Sequence, residues 1–170
     1  AEDAVIELQK RLNKFFKEEE IKVKLSDGII SDASAGSDYI KVKKGALFSQ
    51  RDIHVFEVHE GWVHLGTTLN GKNQNCARWL HKGPPCATIT QEGLAVMMEV
   101  FNFAITPERA KRLNNRLVAC DMAEKGANLI EVMSFFNNLG MSNEEALNSA
   151  ARVFRGGDPE GGGPFTKDIS

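Results

Sequence analysis

Cysteine is scarce in this chain of 170 residues: Cys76, Cys86 and Cys120 are an odd number without framework spacing. That excludes a disulfide scaffold and points to free thiols in a reducing compartment, with the cytoplasm as the expectation. Charge of one sign is also missing, since 21 basic residues face 23 acidic ones for a net charge of -2. The longest basic cluster, Lys41, Lys43 and Lys44, fits the wet side of a strand, so no nucleic-acid partner is expected. No apolar run approaches the roughly 18 residues needed to cross a bilayer, so no membrane partner is expected either. The first residues, Ala1-Glu2-Asp3, are acidic where a signal peptide would be basic. The missing initiator Met reads as processing, or as a piece cut from something longer. Internal repeats are absent, and Tyr39 is the only tyrosine.

What is present is the composition of one ordinary globular domain, with 42% hydrophobic and 26% charged residues. Val5, Ile6, Leu8, Leu12, Phe15 and Phe16 share a helical face over residues 3–19. Three strand-like runs follow: Ile21 to Leu25, Gly28 to Ser31, and Tyr39 to Lys43. Between the last two, the stretch from Ala33 to Asp38 reads as a loose connection. From Ser49 to about Leu69 the pattern is helical, with Asn70-Gly71 as its stop. Residues 71–89 have no periodicity and hold Gly83-Pro84-Pro85, which predicts a long irregular loop. Thr90 is placed as the N-cap of a helix from Gln91 to about Phe103. Thr106-Pro107, Asn128 and Ser142-Asn143-Glu144-Glu145 open three more, ending near Lys125, Gly140 and Phe154. From Gly156 the chain is too rich in glycine and proline for regular structure. The expected fold is α+β: a helix, a small antiparallel or mixed sheet, then helices.

The stretch His59-Glu60-Gly61-Trp62-Val63-His64 carries the chemistry, answered by Gln91-Glu92-Gly93-Leu94-Ala95. Catalytic zinc takes three protein ligands and leaves a fourth position to water, and His59, His64 and Glu92 supply such a set. Glu60 is placed to work on that water as general base. Glu99, seven residues past Glu92 on one helix face, could hold the free N–H of an imidazole. Gly61 and Gly93, beside these residues, would admit close backbone approach. The histidines are five apart, roughly 140° on an α-helix, which would splay the rings. An inserted residue in the turn repairs this, so the spacing predicts a π-bulge between them. The competing reading is a packed histidine pair, with Glu92 in a first helical turn explained by the helix dipole. Cys76, His81 and Cys86 match no familiar ligand spacing. Arg152 and Arg155 end the last helix, where cations suit the dipole; either could clamp a substrate carboxylate. Met97, Met98, Phe101 and Phe103 read as core.

With both motifs read, the chain resembles the proteins that carry a Q-E-G-L-A motif, known in bacteria as flavohaemoglobin expression modulators. Their animal members are the microtubule-associated tyrosine carboxypeptidases. The resemblance runs over Val58-His59-Glu60 to His64, Thr68-Leu69-Asn70-Gly71 and Thr90 to Ala95. It extends through Arg152-Val153-Phe154-Arg155-Gly156-Gly157 and Gly163-Pro164-Phe165-Thr166-Lys167-Asp168. It covers residues from about 50 onward, and the family's motif is H-E-x-x-x-H. It implies a zincin-like metallopeptidase with zinc on His59, His64 and Glu92, Glu60 as general base, and an edge strand lining the cleft, for which Tyr39 to Lys43 is the candidate.

The expected function is therefore a zinc-dependent carboxypeptidase that hydrolyses a peptide bond near a protein or peptide C-terminus with zinc-activated water. The rival is a regulatory or interaction module with a structural or vestigial metal site. The expected organisation is a single metallopeptidase-like domain over 1–170. It divides into a helix and small sheet (1–47), a helical active-site part (48–155) and a Gly-rich tail (156–170). Because family members are longer, it reads as a fragment of a longer protein.

Overall fold

A computed structural model describes residues 1–17, 20–29, 31–83 and 85–161. The described chain divides into two compact units, residues 1–105 and 106 onward. Glu18, Glu19, Ile30 and Pro84 lie outside the described residues, as does the stretch from Gly162 that includes Gly163 to Asp168.

The first unit opens with α1 (Glu2–Leu12), acidic in its first turn and basic in its last, as the helix dipole favours. It is shorter than its hydrophobic pattern suggests. The chain turns after Asn13, and Phe15 packs edge-to-face on Trp62 with ring centroids 5.2 Å apart. Leu8 and Leu12 are fully buried against the sheet. That sheet is mixed and three-stranded, in the order β1 (Lys22–Ser26), β3 (Tyr39–Lys43), β2 (Ala33–Ala35). β1 runs parallel to β3, with Val23 opposite Ile40, and β2 runs antiparallel to it, with Ala35 opposite Ile40. Gln9 covers the outer edge of β1: its side chain accepts from Val23 N at 2.8 Å and donates to Ile21 O at 3.1 Å.

Two strand expectations are corrected. The middle strand is Ala33–Ala35, and described residues of the run Gly28 to Ser31 are bends or coil. Strand propensity in that run yields to tertiary context: Ala33 is buried beside β3, and Ala35 N donates to Glu60 of the helix that follows. And Tyr39–Lys43 is the central strand, not an edge; the edges are β1 and β2.

Ser49 opens α2 (Gln50–Phe56) with a capping box, accepting from Asp52 N at 3.2 Å while Ser49 N donates to the Asp52 carboxylate at 2.8 Å. The helix continues without a break into a nine-residue π-helix, Glu57–Leu65, and then into α3 (Gly66–Lys72). Asn70-Gly71 does not stop it. Gly71 is there for packing: a Cβ on it would stand 2.6 Å from His81 N in the following 3-10 turn, Arg78–Lys82. A second 3-10 turn, Pro85–Ala87, leads into α4 (Thr88–Phe101), so the expected long loop is largely turned structure and Thr90 lies inside the helix rather than capping it.

α4 ends in a Schellman motif with a phenylalanine at the left-handed position. Phe103 has φ +54, its N–H donates to Val100 O at 3.1 Å, and Ala104 N donates to Glu99 O at 2.8 Å. The expectation that Met97, Phe101 and Phe103 are core is overturned: they are 53%, 66% and 85% exposed. Only Met98 of that group packs inward, against Val55, Val58 and Ala104. Apolar residues cover more of α4 than the stripe that is buried.

The second unit holds α5 (Pro107–Glu124), α6 (Leu129–Asn138) and α7 (Asn143–Val153). Thr106 accepts from Arg109 N, with Pro107 at the first helical position, and Asn128 with Glu131 and Ser142 with Glu145 form capping boxes. Gly126 and Gly140, both at positive φ, follow the ends of α5 and α6. The core of this unit is built around Ala119, Ala123, Val132, Phe136, Ala146, Ala150 and Val153. No described helix is long and apolar enough to cross a membrane.

Candidate metal centre

In an α-helix each N–H bonds four residues back, whereas a π-helix bonds five back and widens the turn. Residues five apart then stack along one face. That geometry brings His59 and His64 together, their ring centroids 4.9 Å apart at 61°. The expected single bulge is a full two turns of π-helix. Gly61 serves packing within it: a Cβ there would stand 2.4 Å from Leu12 Cδ2, so the buried tip of Leu12 on α1 rests against bare backbone. Gly93 has open space where its Cβ would be, and the close approach expected there does not occur.

Glu92 sits in the second turn of α4, away from the first-turn position where the dipole alone would account for it. Its two carboxylate oxygens face the two rings, one 3.5 Å from His59 Nε2 and the other 3.5 Å from His64 Nε2. These are long for hydrogen bonds between nitrogen and oxygen. They are close to the edge of a zinc tetrahedron: donors about 2.0–2.1 Å from a common cation stand roughly 3.3 Å apart. One donor atom from each of His59, His64 and Glu92 lies within 4.8 Å of the others, the one such cluster of three among the described residues. The donor types, two imidazoles and a carboxylate, suit zinc.

Glu99, fully buried on α4, lies 2.6 Å from His59 Nδ1. A carboxylate at that nitrogen fixes the ring so that Nε2 faces Glu92. Burial disfavours a charged His59, but Glu92, Glu99 and Glu60 together outweigh it and raise its pKa from 6.5 to about 9. Glu60 is not one of the three clustered donors, although its charge is felt at His59. Its carboxylate accepts from Ala35 N at 2.8 Å, so the edge strand β2 holds it beside the histidines.

His54 lies one turn before the site, with Nε2 3.1 Å from Asn102 O and Nδ1 3.4 Å from the buried Glu57. Arg11 Nη1 reaches the same Glu57 carboxylate at 3.4 Å. Cys76 and Cys86 are exposed free thiols. Arg152 falls in the last turn of α7 and Arg155 is exposed just beyond it, both in the second unit.

Three contacts escaped the reading of the sequence. Gln91 Nε2 donates to Thr67 Oγ1 at 2.6 Å, Thr67 Oγ1 lies 2.6 Å from Val63 O, and Thr68 Oγ1 donates to His64 O at 2.9 Å. Threonines four residues after these carbonyls are the visible signal, since hydroxyls in helices bond back by one turn.

The family model described as microtubule-associated tyrosine carboxypeptidase matches residues 1–170, and the chain belongs to that family. No curated protein and no solved structure matches it.

Proposed function

From that membership we propose that the chain is a zinc-dependent, zincin-like metallopeptidase of carboxypeptidase type, acting on the C-terminal tail of a protein or peptide. The observation that carries this reading is the triangle of His59, His64 and Glu92, with its two 3.5 Å edges on Glu92. Three donors leave a fourth position open, the pattern of catalytic rather than structural zinc. When bound, zinc supplies Lewis acidity, acidifying a water toward neutrality and polarising a carbonyl.

The chain's own residues then divide the work. Glu99 holds His59 with Nε2 turned toward the open centre. Glu60, steadied by Ala35 N–H, takes a proton from the attacking water and delivers it to the leaving amine. β2 receives the substrate. Its ladder bonds to β3 fall on Gly36 and Asp32, so by alternation Ala33 and Ala35 turn their peptide groups away from β3, toward the side where Glu60 sits. An extended tail added along that edge would bring a peptide bond to the carboxylate.

Protein purified without chelators should carry close to one zinc, located by anomalous scattering at the zinc edge on His59, His64 and Glu92. Less than half an equivalent, with none gained on reconstitution, refutes the reading. Glu60→Gln should keep the zinc and abolish release of C-terminal residues from peptides, and retained turnover would remove Glu60 from its role. A fourth protein ligand on the metal would instead favour a non-enzymatic module.

A further inference from the structure

The glutamine that opens the Gln91-Glu92-Gly93-Leu94-Ala95 motif has no part in the chemistry above, and neither has the Thr67-Thr68 pair. Their geometry gives them one. A threonine hydroxyl has a single proton to donate and lone pairs to accept with. Thr67 Oγ1 stands 2.6 Å from Val63 O and 3.1 Å from His64 O, so its proton goes to the nearer carbonyl, Val63. The same oxygen accepts from Gln91 Nε2 at 2.6 Å. The result is a directional relay, Gln91 N–H to Thr67 O–H to Val63 C=O, in which each bond polarises the next.

The relay ends at two informative places. Gln91 is the residue before Glu92, and Val63 is the residue before His64. Val63 also lies near the C-terminal end of the π-helix, where the bonding changes from five residues back to four; Gly66 N–H is shared there between Gly61 O and Val63 O. Thr68 fastens the neighbouring carbonyl, that of His64, at 2.9 Å. Gln91 and Thr67 therefore tie α4, next to Glu92, to the carbonyl just before His64, while Thr68 holds the His64 carbonyl within the same continuous helix.

We propose that Gln91 and Thr67 are positioning residues for the metal centre: their relay sets the separation between Glu92 and the histidine pair, so that the donors converge before a cation arrives. The proposal rests on the reading of His59, His64 and Glu92 as zinc ligands. Neither residue touches the metal or the substrate. They act by sparing the site the reorganisation that binding would otherwise require.

The test is zinc affinity, measured by competition with a chromophoric chelator, on the full chain and three single variants. Thr67→Val keeps the shape and deletes the hydroxyl, Thr67→Ser keeps the hydroxyl, and Gln91→Met keeps the length and deletes the donor. The valine and methionine variants should bind zinc about 10–100-fold more weakly, as loss of an outer partner of a metal ligand does. Thr67→Ser should stay near the parent. The melting temperature of the metal-free protein should be unchanged in all three. The double variant should lose no more than the weaker-binding single one, because either change breaks the same relay.

Parent-like affinity in Thr67→Val or Gln91→Met overturns the proposal. So do additive losses in the double variant, or losses matched by lower metal-free melting, which would mark a general packing role. If the parent itself takes up no zinc, the ligand reading falls and the relay with it, a result distinct from a parent that binds while the variants do not differ.

Discussion

His59 concentrates the electrostatics of the site in one ring. Burial works against its charge, and the carboxylates of Glu92, Glu99 and Glu60 more than offset that, so its pKa rises to about 9. A raised folded-state value means that protonation stabilises the metal-free fold. That contribution is complete below the ordinary value near 6.5 and is lost as pH climbs through about 9. Zinc bound as proposed would reverse the preference, since it needs the nitrogen lone pair. Zinc uptake at pH 7.5 should therefore expel about one proton, read as a calorimetric enthalpy that varies with the ionisation heat of the buffer. An enthalpy independent of buffer would mean that the ring is already neutral. Phe103 offers a second residue-scale outcome. Its left-handed backbone costs an ordinary side chain about 1–2 kcal/mol, and at 85% exposure it recovers little by burial. Phe103→Gly should raise stability by about 0.5–1 kcal/mol, seen as a higher urea midpoint; a drop would mean that the ring makes a contact worth more than the strain.

Among the elements, the π-helix was the most legible and the small strands the least. Five-residue spacing between His59 and His64 already demanded extra residues in the turn, and the demand is local, so sequence alone could state it. The caps at Ser49, Thr106, Asn128 and Ser142 are likewise local chemistry. The family and the candidate ligand set were legible too, in the paired motifs. What escaped was decided by neighbours distant in the chain. Ala33–Ala35 became the strand, in preference to a run richer in isoleucine, through its pairing with β3 and the bond from Ala35 N to Glu60, both made with residues distant in the chain. The ties of Glu60 to Ala35, and of Gln91 to Thr67, each span 24 or 25 residues and follow no periodicity. The glycines separate the two kinds of information. Gly61 and Gly93 look alike in sequence, yet one meets Leu12 and the other meets nothing. Gly61→Ala should destabilise by about 1–3 kcal/mol through overpacking. Gly93→Ala, in open helix, should stabilise by up to about 1 kcal/mol. Chemical denaturation of the two variants should move in opposite directions, and a shared sign would refute the packing assigned to Gly61.

At the scale of the molecule, all the candidate ligands, Glu60 and the strand edge fall in the unit of residues 1–105, and Arg152 and Arg155 in the unit from 106 onward. Sequence reading placed the three ligands within one active-site stretch, but the division at residue 105 leaves no mark in composition. Within the first unit the donors are far apart along the chain: about 28 residues separate His64 from Glu92. A cation held by both ends, as proposed, would therefore act as a removable staple. By the arithmetic that applies to cross-links, closing a loop of that length takes between about 3 and 4 kcal/mol of chain entropy from the unfolded state. The staple spans the turned segment through Arg78–Lys82 and Pro85–Ala87, and Lys82 in its middle is exposed. Trypsin should cut after Lys82 readily in chelator and slowly once zinc is restored, which would make a nick in one surface turn the most direct gauge of whether the centre is filled.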